Sequence, residues 1–260
     1  MKQLYRLLLT SLLLLTGCVP IENPQKEEFV SAKSPADRML PALENGESVV
    51  SHKAYSLVYS EADEQPRWVA YMLTRERSYG EAPRTNNFRE DEDIATGSAT
   101  LDDYRRSGYT RGHLAPAGDM KWDSEAMDET FLLSNMSPQL ADFNDGVWNR
   151  VEQQVRSWAR KFDTLYVVTG PVLTDKGLDQ IGSNGVTVPE RFYKAIYCPA
   201  YQQMIAFLVP HRDSEASLKT FYLTVDELEK ITGIDFFPEL SDDIEEQMES
   251  QICTSCWKKK

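Results

Sequence analysis

Tyr109-Thr110-Arg111-Gly112-His113-Leu114-Ala115-Pro116 is the stretch of the chain with the clearest chemical content. It places an arginine two residues before a histidine, with a glycine between them. An arginine fork binds a phosphate group through two parallel N–H bonds, and a neutral imidazole, with an ordinary pKa of about 6.5, accepts a proton near neutral pH. Glycine lets the backbone pass close to a ligand. The stretch therefore indicates a phosphate-binding site with a base beside it.

The other two of the three histidines carry less information. His52 lies beside a polar segment and is expected to be solvated, and His211 follows a proline at the end of an apolar run and is expected at the surface. A lone histidine is more often structural than catalytic. Only His113, because of its neighbours, is a candidate base.

Further sequence motifs follow His113 along the chain. The two longest are Leu133-Ser134-Asn135-Met136-Ser137-Pro138-Gln139 and Asn144-Asp145-Gly146-Val147-Trp148-Asn149-Arg150-Val151-Glu152, and others lie at 126–131, 168–171, 188–194 and 224–233. Taken in this order, they resemble the DNA/RNA non-specific endonucleases, the group that includes endonuclease G and secreted sugar-non-specific nucleases. A series of matches in order is far more specific than one short motif. The resemblance covers residues 52 to 250 and implies one catalytic domain.

The resemblance implies an α+β fold with a ββα-metal core, set in a larger mixed, mainly antiparallel sheet flanked by helices. By position, His113 is the general base, Asn144 binds the metal directly, and Glu152 binds it through water. The metal implied is Mg²⁺, with Mn²⁺ as a substitute. The substrates implied are DNA and RNA, cleaved to leave 5′-phosphate ends.

The same resemblance assigns the phosphate contacts to Arg111 and Asn135 and a second, transition-state contact to Arg84. Arg89 competes with Arg84 for the last role, because the loop before Phe88 varies in length. The chain departs from the family at Thr110, where an aspartate or asparagine is usual. A threonine hydroxyl still forms hydrogen bonds but carries no charge.

Each of these residues also has a structural alternative. Asn144-Asp145-Gly146 has the composition of a turn before a helix, and Glu152 is spaced for an i,i+4 salt bridge with Arg156. Two other functions stay open beside the nuclease. One is a catalytically decayed nuclease-fold lipoprotein that binds nucleic acid or a protein partner, and the other is a phosphodiesterase acting on small phosphate esters.

The net charge of −13 opposes the binding of a polyanion. The charge is unevenly distributed, since residues 213–249 hold twelve acidic residues against two lysines, whereas seven arginines lie between residues 75 and 111. The local field guides a ligand more than the net charge does. We expect binding of nucleic acid that is weak and sensitive to salt.

The first 50 residues indicate export and anchoring. Residues 1–17 have the basic start and leucine-rich run of a signal peptide, and Leu15-Thr16-Gly17-Cys18 resembles a bacterial lipobox. We therefore expect a lipidated Cys18 and a location in the cell envelope, on the periplasmic or cell-surface side. Polar, proline-containing residues 18–50 are expected to form a flexible tether, followed by a catalytic domain at 51–260.

Cys198, Cys253 and Cys256 are the cysteines outside the lipobox, and a disulfide between two of them is expected without the pairing being decided. Oligomeric state is also left open by the sequence.

Apolar periodicity predicts the secondary structure of the domain. Alternating or continuous β-rich runs predict strands at 55–59, 68–73, 164–169, 192–197 and 204–209. Apolar residues at helical spacing predict helices at 124–133 and 147–162, and a capping box at Thr224 and Glu227 opens a helix that ends at Gly233. A further helix is expected to begin at Ser241. Strands and helices without regular alternation favour an α+β fold.

Overall fold

The computed structural model describes residues 39–257, and the predicted strands form its centre. Bulky β-branched and aromatic residues alternate between the two faces of each strand, as expected for a sheet covered on both sides. The strands are β1 (Val49–Ser51), β2 (Tyr55–Ser60), β3 (Gln65–Thr74), β4 (Thr110–His113), β5 (Met136–Gln139), β6 (Thr164–Pro171), β7 (Gln180–Ile181), β8 (Val186–Thr187), β9 (Arg191–Cys198), β10 (Gln203–Pro210) and β11 (Tyr222–Leu223).

The helices predicted from apolar spacing and capping residues are present, with shorter bounds at 124–133. Two short helices, at 101–104 and 141–143, were not predicted. Thr224 and Glu227 form the predicted capping box, and Gly233 ends that helix in the left-handed conformation with φ of 70°. The helices are α1 (Leu101–Tyr104), α2 (Ser124–Glu129), α3 (Ala141–Phe143), α4 (Asn149–Phe162), α5 (Val225–Thr232) and α6 (Asp242–Glu249).

Seven strands form one sheet, in the order β1-β2-β3-β6-β9-β10-β11. Every pairing in this sheet is antiparallel, so it lacks the mixed character we expected. Val69 and Tyr71 of β3 face the core beneath α4, whereas Trp68 and Ala70 face the core beneath α5 and α6. The sheet therefore separates two apolar cores, each covered by helices, which gives an α+β fold.

A second unit, formed by two short strands and a helix, matches the ββα arrangement implied by the resemblance. Strand β4 pairs antiparallel with β5, with Arg111 opposite Pro138 and His113 opposite Met136. Residues 141–162 then form one interrupted helix, consisting of α3, a π-helical turn over Asn144–Trp148, and α4. The unit is fastened to the main sheet where the Ser137 hydroxyl donates to Gln65 Oε1 at 2.6 Å.

The π-helical turn contains a kink at Gly146, whose φ of −92° and ψ of −111° are not helical. The Asp213 carboxylate fills the space beside Gly146, and its Oδ1 accepts from Val147 N–H at 3.1 Å. The Asp213 carboxylate therefore provides a hydrogen-bond partner for the Val147 N–H, which the kink releases from the helix. Such interruptions are frequent at functional sites.

The folded region begins before residue 51, where the sequence analysis placed the end of the tether. Ala42 N–H donates to Asp235 O at 2.9 Å, and Val50 of β1 pairs with Leu57 of β2. Residues 39–50 are therefore part of the domain, because their backbone groups and apolar side chains have partners in it. Residues 1–38, with the predicted signal peptide and Cys18, lie outside the described residues.

The cysteine pairing left open by the sequence is resolved as Cys253–Cys256, and Cys198 is a buried free thiol. Among residues 39–257, no helix has the length and apolar character needed to cross a bilayer.

Candidate active site

His113 ends strand β4 in an aromatic surrounding and is only 8% exposed. Phe88 and Phe131 meet its ring edge-on, at centroid distances of 5.8 and 4.9 Å. Within residues 39–257, His113 Nε2 has no hydrogen-bond partner. Burial first, and then the charges of Arg84 and Arg111, lowers the pKa of His113 to about 3. The imidazole is therefore neutral at pH 7 and presents a nitrogen free to accept a proton.

Arg84 and Arg111 lie over the same two aromatic rings. The Arg111 guanidinium carbon is 4.0 Å from the Phe88 ring centroid, and that of Arg84 is 4.8 Å from the Phe131 centroid. Both arginines line a groove of about 620 Å³. Stacking on aromatic faces fixes the two guanidinium planes beside His113 while their N–H groups stay available to a phosphate.

Arg89, the alternative to Arg84, is engaged elsewhere. Its guanidinium pairs with Asp128 at 3.0 Å and also donates to Asn87 O at 3.1 Å. Arg84 donates to Asn86 Oδ1 at 2.8 Å and lines the groove. The geometry therefore favours Arg84 as the second arginine of the site.

Asn144 begins the π-helical turn and lines the same groove as the two arginines. In the part of the chain that the structure describes, its side-chain carboxamide forms no hydrogen bond. The reading of 144–146 as a simple turn is wrong, since these residues continue a helix into a π-helical turn. Asn144 is thus a half-buried oxygen donor, held on a rigid element and directed to an open groove.

His211 supports the segment that carries Asn144. Its Nε2 accepts from Leu140 N–H at 2.7 Å, and its Nδ1 lies 2.7 Å from Pro189 O. These partners require the neutral ring with the proton on Nδ1, and burial lowers the pKa of His211 accordingly. His211 is therefore a half-buried structural residue, in contrast to the surface residue expected.

Glu152 lies in the first turn of α4, half-buried and without a hydrogen bond among the described residues. The salt bridge considered between Glu152 and Arg156 does not form, because Arg156 pairs with the fully buried Asp119. Burial raises the pKa of Glu152, whereas the charge of Lys194 lowers it. Glu152 is therefore a carboxylate that neighbouring charges influence but that no side chain binds.

Lys194, Asp119 and Arg156 form a buried charged group that the sequence analysis did not identify. Lys194 is fully buried, with Nζ 4.7 Å from the Trp148 ring centroid and 3.0 Å from Thr169 Oγ1. Burial lowers its pKa, whereas the charge of Glu152 raises it. The only signal in the sequence was the position of Lys194 within the segment 188–194.

Asn135 does not fit the phosphate-binding role implied by the resemblance. It is fully buried, its Oδ1 accepts from Ala115 N–H at 2.9 Å, and its Nδ2 donates to Ala115 O at 3.0 Å and Thr130 O at 2.9 Å. With the carboxamide satisfied at both ends, Asn135 connects the segments that follow β4 and α2. It acts as a scaffold for the site.

Gly112 and Thr110 face strand β5. A Cβ on Gly112 would lie 2.1 Å from Gln139 Cδ, so this glycine makes room for a protein side chain and not for a ligand. The hydroxyl of Thr110 donates to Gln139 O at 2.9 Å. Gln139 itself is fully buried, and neither of its side-chain polar atoms has a partner within residues 39–257.

His52 is buried, with 9% of its surface exposed, in contrast to the solvated residue expected. Its Nε2 lies 3.0 Å from Asp91 Oδ2, which also accepts from the Ser134 hydroxyl. His52, Asp91 and Asp93 are close enough to hold a metal ion. His52 Nε2 and the Ser134 hydroxyl nevertheless both occupy Asp91 Oδ2, whereas Asp93 Oδ2 lies 3.9 Å from His52 Nδ1.

The donors around the groove fit the single magnesium ion implied by the resemblance. Asn144 supplies a neutral amide oxygen and Glu152 a carboxylate, and neither is occupied by a hydrogen bond among the described residues. Magnesium keeps several water ligands and is typically bound through one or two protein oxygens.

Comparison with known proteins connects this arrangement to a family. The sequence model of the DNA/RNA non-specific endonuclease family matches residues 36–243. The chain belongs to this family. The expectation drawn from the sequence motifs is thereby confirmed.

Relatives within the DNA/RNA non-specific endonuclease family include eukaryotic and bacterial proteins. Mitochondrial nuclease EXOG of Mus musculus is 36% identical over 72% of this chain and 56% of its own length, and mitochondrial endonuclease G of Homo sapiens is 34% identical over 73% and 69%. A nuclease of Nostoc sp. is 29% identical over 92% of this chain and 94% of its own. The chain thus spans little more than half the length of nuclease EXOG.

A chain from the crystal structure of the EndoG/EndoGI complex has a similar fold. The TM-score is 0.70 at 33% identity, covering 78% of this chain and 89% of that one. The structural similarity agrees with the α+β assignment.

Proposed function

We propose that the protein is a metal-dependent endonuclease that hydrolyses phosphodiester bonds in both DNA and RNA and leaves 5′-phosphate ends. The observation that carries the proposal is His113 Nε2, which is buried and has no partner in residues 39–257. The two arginines whose charges lower the pKa of His113, Arg84 and Arg111, line an open groove. Family membership supports the same reaction class. Cleavage of a closed circular substrate would separate this endonuclease from a phosphodiesterase for small esters.

His113 is proposed to take the proton from the attacking water. Its low pKa keeps the ring neutral before substrate binds. A phosphate bound between Arg84 and Arg111 would offset the two charges that help to lower this pKa, and so bring the base closer to the operating pH. The same two arginines would hold the phosphoryl oxygens through charge-assisted hydrogen bonds.

The groove also explains the proposed lack of sequence specificity. Its lining contains Arg84, Arg105 and Arg111 and, beside them, Phe88, Leu101, Tyr104 and Tyr109. Arginines contact the backbone and aromatic rings stack on any base, so neither contact reads a sequence. Because the whole chain carries a net charge of −13, this basic groove predicts binding that weakens steeply with salt.

Asn144 and Glu152 are the residues that would hold Mg²⁺, Asn144 directly and Glu152 through water. When bound, the ion would stabilise the charge that develops on the phosphoryl and leaving oxygens. The chain's own contribution is to keep a carboxamide on the rigid π-helical turn. Lys194 and Arg156, in turn, set the charge around Glu152.

We also propose that Cys18 is lipidated and anchors the enzyme in the cell envelope, after removal of residues 1–17. The support is the sequence Leu15-Thr16-Gly17-Cys18 behind a leucine-rich run. Mass spectrometry of the mature N-terminus would detect an acylated Cys18. Release of a Cys18→Ala variant from the membrane fraction is expected, and full retention of that variant in membranes would contradict the proposal.

A decayed nuclease that only binds nucleic acid or a protein is the second candidate. Thr110 favours it, because this residue replaces the family's usual Asp or Asn and bonds to Gln139 O. Binding without cleavage is the outcome that would establish it.

The proposed function is tested with the full-length protein, supercoiled plasmid and a structured RNA. Reactions contain Mg²⁺, Mn²⁺ or EDTA, at low and moderate salt, and the product ends are tested for a 5′-phosphate. Nicking and degradation of both substrates with Mg²⁺, and their loss with EDTA, are the expected results. If the folded protein binds both substrates and cuts neither with any metal, the nuclease assignment fails.

A further inference from the structure

A group of carboxylates lies between helices α5 and α6, on the opposite side of the main sheet from α4. Asp226 and Glu229 are three residues apart on α5 and therefore share a face, and Glu249 is the last residue of α6. One ligand atom from each of the three lies within 4.8 Å of the others. The comparisons and the nuclease site give this group no role.

Glu249 is the member of this group whose carboxylate has a buried oxygen without a hydrogen-bond partner. The residue is only 6% exposed, and its Oε1 has no hydrogen-bond partner within residues 39–257. The Oε1 atom of Glu245, one turn earlier on α6, is also buried without a partner. A buried carboxylate oxygen without a partner is costly. These atoms therefore point to a missing ligand that accepts oxygen donors.

The charged groups that act on Glu249 are all carboxylates, those of Glu229, Glu245, Asp226 and Asp235. Burial, and then the charges of Glu229 and Glu245, raises the pKa of Glu249 to about 8. Glu249 also stands at the C-terminus of α6, where the helix dipole opposes a negative charge. Either a cation or shared protons must compensate this arrangement near neutral pH.

The separations allow one calcium ion to contact all three residues. Calcium binds carboxylate oxygens at about 2.4 Å, and the three ligand atoms lie within 4.8 Å of one another. It tolerates irregular sets of six to eight ligands, whereas magnesium requires near-octahedral geometry. One oxygen of Glu229 already accepts from Phe236 N–H at 2.8 Å, which holds this carboxylate in position.

We propose that Asp226, Glu229 and Glu249 bind a calcium ion that joins α5 to α6. The ion is structural, since it lies on the face of the sheet opposite the core that packs beneath α4. It stabilises the C-terminal helix against the sheet and is independent of the nuclease reaction. Glu245 adds negative charge close to the ion.

The test measures thermal unfolding of the full-length, chelator-treated protein by circular dichroism. Calcium chloride is compared with magnesium chloride and sodium chloride at equal ionic strength. At a calcium concentration one hundred times the dissociation constant, the melting temperature is expected to rise by about 5–10 °C. Magnesium is expected to give a smaller rise.

Variants assign this rise to the proposed site. Glu249→Gln is expected to melt above the wild type without calcium, because glutamine removes the cost of burying an ionisable carboxyl group, and to lose most of the calcium-dependent rise. Asp226→Asn, at a half-buried position, is the second variant and tests the site even if Glu249→Gln fails to fold. Glu246→Gln, exposed on the same helix, and Asn144→Ala, at the proposed nuclease site, are controls that retain the full rise.

Two outcomes would overturn the proposal. One is a calcium-dependent rise that is absent from the wild type or unchanged in Asp226→Asn and Glu249→Gln. The other is a wild type that gains stability as the pH is lowered from 8 to 6 and does not respond to calcium at either pH, which would assign the cluster to shared protons. A loss of nuclease activity in any variant bears on the proposed function and not on this site.

Discussion

Replacement of Gly112 by alanine tests how strand β4 is held beside β5. The added Cβ would lie 2.1 Å from Gln139 Cδ, 2.2 Å from Oε1 and 2.4 Å from Cγ, all far inside van der Waals contact. Gln139 is fully buried, so its side chain must repack among buried neighbours to make room. The strand conformation of Gly112 is accessible to alanine, so the cost comes from this overlap alone.

Overpacking of this kind destabilises a protein by about 1–3 kcal/mol. For a domain of this size that loss lowers the melting temperature by about 2–12 °C. Gly112 lies between Arg111 and His113, so a shift of β4 by about 1 Å is expected to slow plasmid cleavage by about 10²-fold as well. Urea denaturation measures the first effect, as a lower midpoint at an unchanged slope.

A double-mutant cycle with Gln139→Ala identifies the contact. Removal of the Gln139 side chain provides the space that the new methyl group needs, and we expect a favourable coupling of at least about 1 kcal/mol. Plasmid cleavage should recover in the double variant relative to Gly112→Ala. Additive losses of stability, or a Gly112→Ala protein within about 0.5 kcal/mol of the wild type, would refute this account of the glycine.

Four further substitutions have definite expected outcomes. Asn135→Ala leaves buried backbone groups without partners and should cost about 2–4 kcal/mol in urea denaturation; normal stability with weakened DNA binding would restore the phosphate role. Arg84→Ala should slow cleavage by about 10²- to 10³-fold, whereas Arg89→Ala should slow it less than tenfold, because Arg89 pairs with Asp128; equal effects would show that the groove does not distinguish them. The pKa of His113 is lowered in the folded state, so between pH 6.5 and pH 5 only the unfolded chain gains this proton and stability should fall by up to about 2 kcal/mol. His113→Gln should lack this part of the acid sensitivity, and an unchanged pH profile would contradict the burial of a neutral imidazole.

Much of the fold could be predicted because its signals are local. The alternating residues of β3 and the helical spacing from Val151 to Phe162 record which faces are buried. The capping box at Thr224 and Glu227 likewise depends on residues three apart. By contrast, the residues before β1 were missed because their partners are far along the chain, as Asp235 is from Ala42.

The chemistry of the site was less accessible from sequence. The motif selected His113 and Arg111, but it could not show whether the carboxamide of Asn135 is free or bonded. Burial of Lys194 and the pairing of Arg156 with Asp119 depend on the packing of α4 against β3 and β6. Residue type alone does not show whether a charged side chain is paired inside the fold or exposed at its surface.

The central claim, that His113 is the base of a metal-dependent nuclease, is tested most directly by one rate comparison. Wild type and His113→Gln are matched for folded concentration, and the loss of supercoiled plasmid is timed with saturating Mg²⁺. A decrease of about 10²- to 10⁴-fold, with plasmid binding retained, is the result predicted for loss of a general base. A variant that cleaves within about threefold of the wild-type rate would show that another group takes the proton.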